Sequence, residues 1–208
     1  MTISAFTPAR DLARYRTVDL VTIATLAVAL GVTFWAWGKA YAGLSGLAVF
    51  SYPPTAGLLG GPWLLAGVMG GLIIRRPGAA LATEIAAAAV SALVPGGTEW
   101  GMSVLVSGFW QGLGAELVLA VFLYRRFSLP VAALAGALAG AIESVYEWNA
   151  YYAGVFDTAD RFAHLGFFAL SGAVIAGGGG WALTRALARA GVLDPFGPGR
   201  EVHEAAAV

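Results

Sequence analysis

Six apolar stretches, each long enough to cross a bilayer, fill most of this 208-residue chain, and four of them carry a carboxylate. A helix needs about 20 residues to traverse roughly 30 Å of hydrocarbon. The stretches run over Val18–Trp37, Thr55–Ile74, Gly78–Val94, Met102–Tyr124, Leu129–Tyr152 and Arg161–Leu187. Hydrophobic residues make up 59% of the chain and charged residues 12%, so the reading is an all-α integral membrane protein, a bundle of six transmembrane helices. An ionisable side chain inside a span is costly unless it faces the bundle interior, so function has to be read from the few polar residues within the helices.

The expected organisation is a segment at 1–17, a membrane domain at 18–190 and a mobile Pro/Gly-rich tail at 191–208. The arginines of Met1–Arg16 precede the first apolar run as they would in a signal peptide. That run is longer than a signal core and lacks a clear cleavage site, so it reads as a first span. Charge placement sets the topology. With the N-terminus inside, Arg10, Arg14, Arg16, Arg75, Arg76, Arg125, Arg126, Arg185, Arg189 and Arg200 fall on the cytoplasmic side, and only Lys39 and Arg161 fall outside. That asymmetry puts both termini in the cytoplasm. Turns at Arg75-Arg76-Pro77-Gly78, Pro95-Gly96-Gly97 and Arg125-Arg126 separate the middle spans.

Helical rise converts position into depth. Glu84 lies roughly 15 Å below the outer end of its span, Gln111 roughly 13 Å, Glu143 roughly 14 Å and Glu147 roughly 8 Å. His164 is about one turn below the outer end of the last span. Four helices therefore bring these five residues into one band between the outer surface and the midplane. Gly136, Gly140, Glu143, Glu147 and Tyr151 share a face of the fifth span, with Tyr146 and Trp148 beside it. Carboxylates next to aromatic rings suit an organic cation, through charge and cation–π attraction. The candidate substrate-binding set is Glu84, Gln111, Glu143, Tyr146, Glu147, Trp148, Tyr151 and His164. The competing reading makes Glu143 and Glu147 a helix-packing network paired with Arg161 or His164, and Glu84 a hydrogen bond that holds spans together. Glu116 reads as packing glue, and Glu99, Asp157 and Asp160 as solvated loop charges. Trp35, Trp37, Trp63 and Trp100 fit an interfacial aromatic belt. The apolar stretch at 39–54 is either a re-entrant cap over a site or an interfacial helix.

Small residues at four-residue spacing pack membrane helices within a chain or against a partner. Ala24, Ala27 and Gly31 on the first span are a candidate partner-docking face, with packing inside the chain as the alternative. There is no cysteine, no P-loop, no H-E-x-x-H and no G-x-S-x-G, so the chain does not read as an enzyme, and no cofactor or metal site is expected.

Three segments carry a family resemblance. Gly70-Gly71-Leu72-Ile73-Ile74-Arg75-Arg76-Pro77-Gly78-Ala79-Ala80-Leu81 is followed by Glu84. Gln111-Gly112-Leu113-Gly114-Ala115-Glu116-Leu117 is followed by Tyr124-Arg125-Arg126, and Arg16-Thr17-Val18-Asp19 opens the first span. Together they resemble the YkoE-type substrate-binding subunits, or S-components, of energy-coupling-factor (ECF) transporters, over roughly residues 16–188. The resemblance implies a six-helix S-component fold and uptake of thiamine or its hydroxymethylpyrimidine precursor. It also implies a transmembrane coupling subunit and cytoplasmic ATPase subunits as partners in the bacterial cytoplasmic membrane. In such subunits the substrate lies in the outer half, beneath an extracellular loop. The alternative function is a stand-alone proton- or cation-coupled transporter using the same carboxylates as a relay. The lack of an inverted repeat of three plus three spans counts against it.

Overall fold

The computed structural model describes residues 14–206, so Arg10 and most of the 1–17 segment lie outside the described residues. The described residues are all-helical, without a strand. The helices are α1 (Thr17–Leu44), α2 (Leu65–Ile74), α3 (Ala79–Leu93), α4 (Val104–Val121), α5 (Leu129–Ala150), α6 (Thr158–Ser171), α7 (Gly180–Arg189) and α8 (Gly197–Ala206). Each apolar stretch in the sequence corresponds to helical structure, but not to six equal spans. Four helical stretches are long and apolar enough to cross a membrane: Thr17–Leu44, Gly101–Val121, Leu129–Ala150 and Thr158–Arg189. The second stretch is broken into Pro53–Leu59 and Gly61–Ile74, bent by 45°. Pro53, Pro54 and Pro62 withhold backbone donors there, and the chain runs as tight 3₁₀ turns until α2 begins. Two tryptophans brace the break. Trp37 Nε1 donates to the Leu59 carbonyl at 2.9 Å and Trp63 Nε1 to the Phe34 carbonyl at 3.2 Å. The third stretch, α3, has only 15 residues, about 22 Å of helix.

Glu116 decides where α3 starts. Its carboxylate accepts from the amides of Gly78 (2.6 Å), Ala80 (2.9 Å) and Leu81 (3.3 Å), and from the Tyr124 hydroxyl (2.6 Å). A helix's first N–H groups have no partner within the helix, so an acidic side chain from α4 satisfies what the local sequence leaves open. Arg75 (φ 58°) and Gly78 (φ 86°) turn the chain through the left-handed region just before it. Asp19 does similar work at α1. It is fully buried, accepts from the Arg16 amide and is held between Arg16 and Arg76, 2.7 and 2.8 Å away.

The last long span is a composite. Between α6 and α7, Gly172–Gly179 forms a wider π turn through a run of glycines. This segment and the end of α6 lie directly on α5: a Cβ on Gly136 would sit 2.1 Å from the Gly172 carbonyl oxygen, and one on Gly140 would sit 2.5 Å from the Phe168 carbonyl oxygen. The inner half of α5 thus packs backbone to backbone, as small residues permit. Asp157 and Asp160, expected as solvated loop charges, form a reciprocal capping box at the start of α6. Tyr52 donates to Asp160 at 2.9 Å, which raises the phenol pKa and ties the 45–52 loop to α6.

Two expectations change. Ala27 and Gly31 are buried, and a Cβ on Gly31 would meet the Ala87 carbonyl and Val90 at 2.6 Å. They pack α1 on α3 inside the chain, and of the three proposed docking residues only Ala24 is exposed. The tail, expected to be mobile, carries α8. Leu193 and Phe196 are buried beneath it, and Glu201 pairs with Arg75 and Arg185.

Candidate functional site

At the end of the bundle opposite the arginine-rich turns, α1, α3, α4 and α5 diverge around a cleft. It encloses about 630 Å³ of non-atom space, part of it open to the surroundings. α5 contributes Glu143, Glu147 and, at its end, Tyr151; α4 contributes Ser107 and Gln111. α1 contributes Phe34, Trp35 and Lys39, and the loop between α3 and α4 contributes Gly97–Trp100. A second hollow shares Trp63, Trp100, Glu147 and Tyr151 with the first and extends it to Tyr41, Tyr152 and Phe168.

The rings form a cage. Tyr41, Trp63 and Trp100 meet pairwise at centroid distances of 5.3–5.6 Å, tilted or edge-on. Aromatic ring faces attract cations. Glu143 is 1% exposed, with Ser107 and Gln111 beside its carboxyl. One carboxyl oxygen of Glu143 still lacks a partner, and so does the Trp35 indole N–H. A buried polar atom without a partner costs about 1–3 kcal/mol, so a ligand bearing both a donor and an acceptor would relieve both. Glu147 is half-buried where the two hollows join. Behind it, His164 is fully buried: its Nδ1 is 2.7 Å from the Ser144 hydroxyl, and its Nε2 is 3.4 Å from Glu147. Tyr152, Phe156 and Phe168 surround the imidazole.

Of the candidate set, Gln111, Glu143, Glu147 and Tyr151 line the cleft. His164 backs it through Glu147. Glu84 is buried behind the wall, where one oxygen accepts from the Gly67 amide and caps the first turn of α2. Tyr146 turns to the other side of α5, into an apolar groove with Trp110 and Leu165, touching Tyr151 only by its edge. Trp148 does not line the cleft; Arg161 lies 6.0 Å from its ring. The reason is helical phase: residues 146 and 148 are about 100° from 147 on either side, so one α5 face cannot carry all three inward.

Depth alone missed Trp35, Trp63, Trp100, Lys39, Ser107 and Glu99. The tryptophans sit at the depth of an interfacial belt, and only the tertiary contacts turn them inward. The cap is different too. Within 39–54, Lys39 and Tyr41 reach the two hollows, and Gly97–Trp100 of the α3–α4 loop line the first beside Lys39. Among the described residues, no three His, Asp or Glu side chains converge to hold a metal.

This arrangement can be set beside known proteins. The model of the family described as "ABC-type cobalt transport system, permease component" matches residues 18–142. The putative HMP/thiamine permease protein YkoE of Bacillus subtilis (strain 168) is 31% identical over 193 residues, which is 91% of this chain and 93% of that protein. A solved structure described as "Crystal structure of an S-component of ECF transporter" superimposes with a TM-score of 0.86 at 29% identity. It covers 93% of this chain and 96% of that one. The chain belongs to the YkoE-type S-components. It is therefore a multi-pass membrane transport subunit and not an enzyme. In this S-component Glu143, Glu147 and the aromatic cage stand at one end of the bundle and most of the arginines at the other, where Asp19 pairs with Arg16 and Arg76, and Glu201 with Arg75.

Proposed function

We propose that this S-component binds thiamine or its hydroxymethylpyrimidine precursor in the cleft between α1, α3, α4 and α5, from the outer face of the bacterial cytoplasmic membrane. It passes the ligand inward when ATPase subunits, acting through a transmembrane coupling subunit, reorient it. The observation that carries this is the pairing of Glu143 and Glu147 with an aromatic cage. The two carboxylates favour a cation, and Trp63, Trp100 and Tyr41 offer ring faces for a thiazolium or a pyrimidine. The unpartnered Glu143 oxygen and Trp35 N–H suit an aminopyrimidine, which donates through its amino group and accepts through ring nitrogen. The name of the Bacillus subtilis relative supports the same substrate class. The arginine asymmetry supports an arginine-bearing cytoplasmic face with both termini inside. Docking of the coupling subunit on α1 would use its exposed side, which includes Ala24.

The test is titration of thiamine into the purified protein, followed by tryptophan fluorescence. Riboflavin and biotin serve as controls. Three tryptophans line the cleft, so a stacked ligand quenches strongly. Saturable submicromolar binding of thiamine or the pyrimidine alone is expected. Equal response to all four compounds would refute the assignment. Uptake by the chain alone in liposomes with an imposed ion gradient would favour a stand-alone transporter instead.

A further inference from the structure

The arginine-rich end of the bundle carries a second cleft that the transport reading does not use. It holds about 920 Å³ of non-atom space, open to the surroundings, between the ends of α2, α4, α5 and α7. Three arginines reach it from three separate elements: Arg75 at the end of α2, Arg125 after α4 and Arg185 on α7. One acidic side chain lines it, Glu201 of α8, which pairs with Arg75 and lies 3.1 Å from Arg185. Three guanidinium groups and one carboxylate therefore line the cleft. The Ser128 hydroxyl stands beside them, while the Tyr124 hydroxyl, also at the cleft, already donates to Glu116. Ser128 precedes the first turn of the 22-residue α5, and its hydroxyl makes no capping bond. The positive end of that helix therefore adds to the field of the arginines.

We propose that this cleft binds the phosphodiester headgroup of an anionic phospholipid. Phosphate is the anion that guanidinium groups engage best, through paired N–H donors. The surroundings select a lipid over a soluble phosphate. The cleft lies at the ends of membrane helices, the level of the headgroups. Leu123, Leu129 and Leu183 are exposed at the adjoining ends of the same elements, where acyl chains would cover them. Trp181, with Arg185 5.8 Å from its ring, has the amphipathic character of an interfacial anchor. A basic pocket between membrane helices on the arginine-bearing side is the chemistry that anionic headgroups seek. Glu201 then acts as a built-in competitor, holding Arg75 and Arg185 when no headgroup is present.

The experiment is native mass spectrometry of the full chain in detergent, titrated with phosphatidylglycerol and, separately, with phosphatidylcholine of the same acyl chains. Inorganic phosphate is added in a third arm. Phosphatidylglycerol is expected to bind about tenfold or more tighter than phosphatidylcholine. The Arg125→Gln/Arg185→Gln variant should lose about thirtyfold of that affinity. Glu201→Gln should bind phosphatidylglycerol more tightly than the parent, a gain that impaired folding cannot produce. Equal affinity for the two lipids, or a Glu201→Gln variant that binds more weakly, overturns the proposal. Displacement of phosphatidylglycerol by inorganic phosphate at comparable concentration also overturns it and makes this a soluble-anion site. Thiamine titration of the same samples reads the other cleft, so the two assignments fail separately.

Discussion

Replacing Glu143 by glutamine separates binding from stability. The side chain is 1% exposed, and one of its oxygens has no partner. The substitution keeps the shape, and an amide can still meet Ser107 and Gln111. The amide has no charge to bury, so Tm should stay level or rise. Binding should move the other way. A unit charge pair at 4 Å is worth about 4 kcal/mol at an effective dielectric of 20. Roughly half of that offsets stripping water from the cation and the carboxylate, leaving about 2 kcal/mol, or about thirtyfold in Kd. The assay is thiamine titration by tryptophan quenching, run beside a thermal melt in the same detergent. Unchanged affinity would refute the role given to the carboxylate. A large fall in Tm with affinity lost in proportion would show that Glu143 holds helices together instead.

Glu116 should behave in the opposite sense. Glu116→Ala removes the acceptor of three backbone amides and one hydroxyl, a loss of about 3 kcal/mol after partial relaxation and a Tm fall of roughly 6–12 °C, while the thiamine Kd of the protein that remains folded is unchanged. Gly31→Leu should destabilise the isolated subunit, because its new Cβ meets the Ala87 carbonyl and Val90 at 2.6 Å; a melt equal to the parent's would return Gly31 to the docking surface. Glu201 should give α8 a pH dependence. Burial raises its pKa, but the hydrogen bond and charge of Arg75, with Arg185 and Arg200, outweigh that and hold it below the usual value. Its contribution is therefore complete above the unfolded pKa near ~4.3 and is lost as pH falls through the lower folded value. Amide exchange in α8 should accelerate across that acid range in the parent and not in Glu201→Gln.

Much of the site was legible where a single number carries the information. Depth follows from a fixed rise per residue, so Gln111, Glu143 and Glu147 could be put in one band and shown to share a cleft. Phase is harder. Tyr146 and Trp148 are neighbours of Glu147 in sequence, and a helix turns each about 100° from it. Glu84 has the right depth, yet the broken span in front of it leaves the Gly67 amide open, and the carboxylate goes there instead. Trp35, Trp63 and Trp100 look like interfacial anchors until α1 and the α3–α4 loop are brought together.

The sequence by itself determined that this chain lives in a membrane, that its helices pack through glycine, and that most of its arginines gather at one end while Gln111, Glu143 and Glu147 fall toward the other. These are properties of composition and spacing, and they hold in any arrangement of the helices. Only the tertiary structure decided which polar groups are partners of the backbone and which remain for a ligand. Asp19, Glu84, Glu116 and Glu143 are all buried acids within apolar helices. The first pairs with arginines, and the third satisfies an open helix start; the second and the fourth each keep one oxygen unpartnered, but Glu84 lies behind the wall with its other oxygen on the Gly67 amide, while Glu143 lines an aromatic cleft. A carboxylate's role depends on what stands opposite it, and what stands opposite is set by the packing of residues distant in sequence.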